Sequence, residues 1–273
     1  MTASIMPDTI PEARDLPNKP LAEAIFEVRW ALSQQSGPMA VDPGFQLLLG
    51  RYYDRIRKTF PTAIALPAST VPENMTAHTV RQQFRKGKDK WPLTQIGPGI
   101  LTVNDVAGYK WETFRPLLKE ALAALFDAYP TDVAPLRPVQ ALLRYINVIA
   151  FDPTTSAIPL LDFFREKLHT QITPEPLLFR APEEAASPTN LSLNLSYRIT
   201  DPDAKAGMSF ALGEANGNPA IILEIVVQTV SDHIPKTLDE FDSWLSSAHD
   251  NVIDKWFFAL VRGDLLKEYE KTP

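Results

Sequence analysis

Cysteine is absent from this chain, which excludes a disulfide framework, a thiolate metal site and a cysteine nucleophile. Histidine is scarce: His78, His169, His233 and His249 are scattered, and no HExxH pairs them, so no metal site is expected. There is no glycine-rich phosphate loop, because the GPG at 97–99 lacks both the spacing and the Lys/Ser of a P-loop. No GxSxG elbow points to serine chemistry. Long hydrophobic runs are missing as well; nothing approaches the roughly 18 apolar residues of a membrane span. The first residues carry neither a basic n-region nor an apolar h-region, so no signal peptide is expected. These absences together lead us to expect a soluble cytoplasmic protein with no cofactor.

What the chain does have is a core. With 273 residues, 45% hydrophobic and 22% charged, it can form one large domain or two small ones. A net charge of −6 weighs against polyanion binding by the whole surface. The charge is uneven. Arg51, Arg55, Arg57 and Lys58 form one basic cluster, and Arg81, Arg85, Lys86, Lys88 and Lys90 a second. Beyond Ser231 the chain turns acidic, with Asp232, Asp239, Glu240, Asp242, Asp250 and Asp254. Such runs are ordinarily solvated surface.

In chain order, residues 1–19 are Pro-rich and aperiodic, a tail that is loose or draped on the surface. Leu21 to Leu32 alternates: Ala24, Phe26, Val28 and Trp30 face one way, Glu23, Glu27 and Arg29 the other. That suits an antiparallel sheet covered on one side. After Gly37-Pro38, Asp42-Pro43 reads as a helix cap followed by proline at the first helical position. The helix repeats Phe45, Leu48, Leu49, Tyr52 and Ile56. A short strand at 63–67 and strands at 77–84 and 92–104 follow, with Gly97-Pro98-Gly99 marking a bulge, bend or loop. Trp111 to Tyr129 is an amphipathic helix.

The segment RPVQALLRYINVIAF at 137–151 holds no glycine and reads as a central buried strand. A helix at 159–169, a proline-rich loop at 174–188 and strands at 191–199, 208–212 and 220–230 lead to a last helix. Thr237 and Glu240 form its capping box, and its buried stripe runs through Val252, Ile253, Trp256 and Phe257. His249 lies beside that stripe and reads as a packing histidine with a satisfied ring nitrogen.

Written out, the order is β-α-β-β-β-α twice. EAIFEVRW at 23–30 lies over QALLRYIN at 140–147, and WETFRPLL at 111–118 over LDEFDSWL at 238–245. The expected fold is therefore α+β: two halves, 20–136 and 137–262, forming one curved antiparallel sheet with helices on one face, and a C-terminal tail at 263–273. Joining the halves through their leading strands hides an edge from each. Glu27 and Arg144 then occupy equivalent places and are expected to pair across the seam.

The element order is similar to the duplicated saddle of TATA-binding-protein-like folds. At sequence level, PLAEAIFEVRW, QIGPGILTVND followed by YKW, LLRYIN and AHDNVIDKWF resemble a sporadically distributed prokaryotic family of similar length, over nearly the whole chain. That family brings no established activity with it. Its patchy distribution implies an accessory role, of the kind found in defence or toxin–antitoxin loci.

The candidate site is a polar network of Glu27, Asn104, Tyr109, Trp111, Arg144, Tyr145 and Asn147. Arg144 and Asn147 interrupt an apolar strand and must find partners there. They serve either structure, with Arg144 on Glu27 and Asn147 on loop backbone, or a binding site. Glu23 and Glu27, two apart on a strand, share a side, but exposed strand carboxylates are ordinarily solubilising.

Three functions follow. The first is a non-enzymatic protein that docks a protein partner through its sheet face or edge, which also leaves room for self-association. The second is nucleic-acid binding through Arg81, Arg85, Lys86, Lys88 and Lys90, with Phe84 and Trp91 for stacking. Acidic Glu23, Glu27 and Glu224 on the open face count against it. The third is an enzyme with a pocket at the seam.

Overall fold

Strict alternation makes β1 (Leu21–Trp30) a strand with two unlike sides: Ala24, Phe26, Val28 and Trp30 are buried, while Glu23, Ile25, Glu27 and Arg29 are partly exposed. The computed structural model describes residues 9–34, 40–106, 108–180, 188–230 and 233–272. The turn expected at Gly37-Pro38, residues 181–187 of the proline-rich loop, and Ser231 with Asp232 lie outside the described residues.

After β1 come a small ribbon of β2 (Ser33–Gln34) and β3 (Ala40–Val41) and helix α1 (Phe45–Ile56). Strands β4 (Thr62–Ala65), β5 (Gln82–Arg85), β6 (Leu93–Gly97) and β7 (Ile100–Asp105) then lead to α2 (Trp111–Ala128). The second stretch holds β8 (Pro138–Ala150), α3 (Leu160–Glu166), β9 (Ser192–Thr200), β10 (Asp203–Ala215) and β11 (Asn218–Thr229). It closes with α4 (Leu238–Ala248), a π-helical turn (His249–Asp254), α5 (Lys255–Val261) and α6 (Asp264–Tyr269). The stretch expected to be a C-terminal tail thus carries α6, whose Leu265, Leu266 and Tyr269 are buried.

The sheet has nine antiparallel strands in the order β4-β5-β6-β7-β1-β8-β11-β10-β9. The leading strands β1 and β8 meet at its centre, as expected. On either side the last strand of the meander lies next to the leading strand, and the earlier ones run outward. The alignment of EAIFEVRW over QALLRYIN places Phe26 over Leu143, and those two residues are register partners across the β1–β8 seam.

Helices α1, α3 and α5 meet the sheet on the side of Phe26 and Leu143. Tyr52 of α1 donates to Thr94 Oγ1 of β6 at 2.9 Å, and Phe164 of α3 packs edge-on against Phe210 of β10. Phe126 of α2 packs on Phe241 of α4, and Trp256 of α5 meets Tyr197 of β9. The shared core runs unbroken beneath both sets of strands. Its aromatic and branched side chains each contribute about 1.5–3 kcal/mol by leaving water.

Of the expected alternatives at Gly97-Pro98-Gly99, the loop between two shorter strands is the one observed: it is the tight turn of the β6–β7 hairpin, with Gly97 paired to Ile100. Gly99 adopts φ +75°, and a Cβ on Gly97 would lie 1.9 Å from the Thr79 carbonyl oxygen, so both places require glycine. Asp42 and Pro43 do not form the expected helix start, because α1 begins at Phe45 with Gly44 at the N-cap position. The buried Asp42 carboxylate accepts from Gly44 N (3.0 Å), Trp30 Nε1 (2.8 Å), Tyr129 OH (2.8 Å) and Gly99 N (3.1 Å), tying four segments together.

Candidate site at the strand seam

Alternation along β8 decides the fate of the expected polar network. Tyr145 and Asn147 point to the helix side, whereas Arg144 points to the open side. On β7, Asn104 is the register partner of Ile25 and shares the open side with Glu27. The seven residues therefore form two groups on opposite faces.

The expected Glu27–Arg144 pair is not made. In the observed register Glu27 faces Leu142 and Arg144 faces Ile25, so the two charges are diagonal neighbours. Glu27 instead accepts from Arg29 Nε at 2.7 Å, and Arg144 lies 3.7 Å from Glu224 on β11. Asn104 donates to Glu23 at 2.8 Å, while its own carbonyl oxygen, Thr102 Oγ1 and Arg144 Nε are buried without a hydrogen-bond partner.

On the covered side, Tyr109, Trp111, Tyr145 and Asn147 converge on a pocket of about 150 Å³. Its floor is Leu21 of β1, Tyr145 and Asn147 of β8 and Ile225 of β11; Leu21 and Asn147 are themselves register partners. One wall is the start of α2 and the other the π-helical turn with Phe257 and Phe258 of α5. Residues 13–19 lie across the top. Asn18 N donates to the Tyr269 carbonyl at 3.0 Å, Lys19 Nζ to the Tyr109 carbonyl at 2.5 Å and to Asp15 at 2.6 Å. The N-terminal stretch, draped as expected, is thereby held over the seam.

The π-helical turn explains the second wall. One extra residue in the turn brings His249 and Asp254 onto the same side, with Nε2 3.5 Å from Asp254 Oδ1. The other ring nitrogen, Nδ1, is 2.7 Å from Asp250 Oδ1, and the imidazole stacks flat on Trp111 with centroids 4.0 Å apart. Burial pushes the Asp254 carboxyl above its usual range, and the nearby Asp250 and Glu112 push the same way against the opposing pull of His249.

Tyr109 and Tyr145 hydrogen-bond through their hydroxyls. Burial raises both phenols well above their ordinary value, so both stay neutral. One hydroxyl proton is used in that bond, and the second is left to donate elsewhere.

Asn147 is 4% exposed, and its side chain makes no hydrogen bond among the described residues while its amide stays open to the pocket that it lines. The expected bond to loop backbone is not formed. An amide set in a pocket floor offers one acceptor and two donors to whatever enters. His249 and Asp254 were missing from the expected site because the apolar periodicity of the last helix carries no mark of a π-helical turn.

The basic hairpin sits far along the sheet, between β5 and β6. Lys86, Lys88 and Lys90 are exposed, but Arg81 is bound to Thr76 (3.0 Å) and the Ser69 carbonyl (2.8 Å). Arg85 bonds Gln83 and lies over the Trp91 ring at 5.0 Å. Phe84, expected to stack on bases, is buried against Tyr52 and Tyr53 on the helix side. Among the described residues no cluster of side chains suits a metal ion, and no helix is long and apolar enough to cross a membrane. No protein-family model and no curated protein matches the chain, so the family resemblance rests on the motifs alone.

Proposed function

We propose that the protein is a binding protein whose seam pocket takes up a small organic molecule with an apolar body and a polar edge that both donates and accepts hydrogen bonds. The observation that carries this reading is Asn147, whose side-chain amide makes no hydrogen bond among the described residues and opens into a pocket floor otherwise lined by Leu21, Tyr145 and Ile225. A ligand carboxamide or lactam edge would meet the donors and the acceptor of that amide. Neutral phenols, a raised carboxyl and a π-helical turn around one pocket are the features of a binding site. Calorimetric titration with nicotinamide, benzamide and free nucleobases tests it. Binding of at least one class, lost in Asn147→Leu, is expected; silence from all of them, or binding untouched by Asn147→Leu, overturns it.

A second reading has its own support: a protein partner docked on the open sheet face. Ile25, Leu142, Ile146, Val148, Ile222 and Val226 form an apolar centre there, ringed by Glu23, Glu27, Arg29, Arg144 and Glu224. The unpaired Thr102 Oγ1, Asn104 Oδ1 and Arg144 Nε lie in the same place. On this reading residues 20–136 and 137–262 are two copies of one unit forming a saddle, and the partner is the product of an adjacent gene in an accessory locus. Co-purification from the native host, abolished by Arg144→Glu, is the expected outcome; a chain that always purifies alone contradicts it.

A further inference from the structure

The two ends of the sheet are unlike. At one end β4 has four residues and gives way to a 3-10 turn at Pro67–Thr70, the kind of short edge that resists further pairing. At the other end β9 has nine residues and pairs with β10 in unbroken register, and no described strand lies beyond it. It contains no proline, no lysine and no bulge. Its single charge, Arg198, is neutralised by Asp203 of β10.

We propose that β9 is a self-association edge, pairing antiparallel with β9 of a second copy about a twofold axis at Ser196. The register follows from the backbone. Leu212 N donates to the Leu191 carbonyl at 3.1 Å, and Leu191 stands opposite Leu212 in the β9–β10 numbering, so the odd residues of β9 spend their backbone groups on β10. The groups turned outward belong to Ser192, Asn194, Ser196, Arg198 and Thr200. An axis through Ser196 sets Ser192 against Thr200, Asn194 against Arg198 and Ser196 against itself, which pairs every outward donor and acceptor.

The side chains agree. No like charges meet, since Arg198 faces Asn194. On the helix side Leu193 faces Ile199, and Leu195 faces Tyr197, which is 47% exposed in the single chain. These are the pairs that approach most closely in an antiparallel ladder. Self-pairing therefore covers apolar surface and continues the sheet from one copy into the next. This uses neither the seam pocket nor the open face, so it stands or falls apart from both readings above.

The absence of cysteine makes a register test clean. In a Ser196-centred dimer the two Ser196 Cα atoms lie about 5.5 Å apart on the same face, within disulfide reach. The two Asn194 Cα atoms lie roughly 14 Å apart, far beyond it. Ser196→Cys should therefore cross-link under mild oxidation while Asn194→Cys stays monomeric on a non-reducing gel. The full-length wild type should show a dimer mass by light scattering. Ser196→Pro, which alters only an outward-facing N–H, should shift it to monomer. A wild type monomeric at every concentration, or equal cross-linking of both cysteine variants, overturns the proposal.

Discussion

The two faces of the one sheet are built from the same strands yet follow opposite rules. On the helix side Phe26, Leu143, Leu223 and Ile225 are wholly enclosed, and the buried polar groups there are bonded, as Thr94 and Asp42 are, or gather around the seam pocket. On the open side apolar and charged residues mix, and the ion pairs are loose or local, as between Arg144 and Glu224 or Glu27 and Arg29. The difference teaches that a polar residue in a strand has no meaning until its face is known. Arg144 and Asn147 look alike in the sequence, but one meets solvent and the other a pocket.

The largest effect expected from this contrast is in the core. Phe26→Ala should cost about 3–5 kcal/mol in urea unfolding, while Ile25→Ala, one residue away on the open face, should cost under about 2 kcal/mol. Equal losses would mean that both faces are covered.

Next in size is the pocket amide. Asn147→Leu should not destabilise the protein, because the amide makes no hydrogen bond among the described residues and opens into the pocket. A loss of stability would show that the amide has a structural partner after all.

The pH dependence separates the faces of the helices in the same way. Asp254 has a raised pKa, so its contribution is fully present below the unfolded value and is lost as pH rises through the folded one. Asp254→Asn should therefore gain stability at neutral pH and flatten the profile above about pH 4. Asp242, on α4, accepts from Arg115 (2.9 Å) and Lys119 (3.0 Å) of α2, which lowers its pKa. Its contribution is present above the unfolded value and lost as pH falls through the folded one, so Asp242→Asn should cost stability at neutral pH and nothing in acid. The smallest effect belongs to the open face: Glu224→Gln should change stability by less than about 1 kcal/mol, since both partners of its 3.7 Å contact are about one-third exposed.

Most of the architecture could be read from the letters, for physical reasons. Alternation in β1 and in Leu191–Ile199, the glycine-free run of β8 and the Thr237 and Glu240 cap are local signals, and Thr237 Oγ1 does accept from Glu240 N. The expected repeat of element order differs, since the strand at 92–104 is split into β6 and β7 and the first meander has four strands against three in the second. The meeting of β1 and β8 followed from the need to hide strand edges. What could not be read depends on contacts distant in sequence. Asp42 gathers Trp30, Gly99 and Tyr129 from three separate segments. His249 meets Trp111 and Tyr145 only once α2 and the π-helical turn are packed side by side. The Glu27–Arg144 expectation erred by two residues of register: residues equivalent about a dyad need not be opposite one another.

The central claim is that the Asn147 amide awaits a ligand, and the side-chain NH₂ resonances of Asn147 report on it most directly. With ¹⁵N-labelled protein and those signals assigned through Asn147→Leu, titration with nicotinamide and free nucleobases should shift them progressively and saturably. The Asn104 amide on the open face should stay still. Asn147 signals that never move, or that move no more than those of Asn104, would contradict the account.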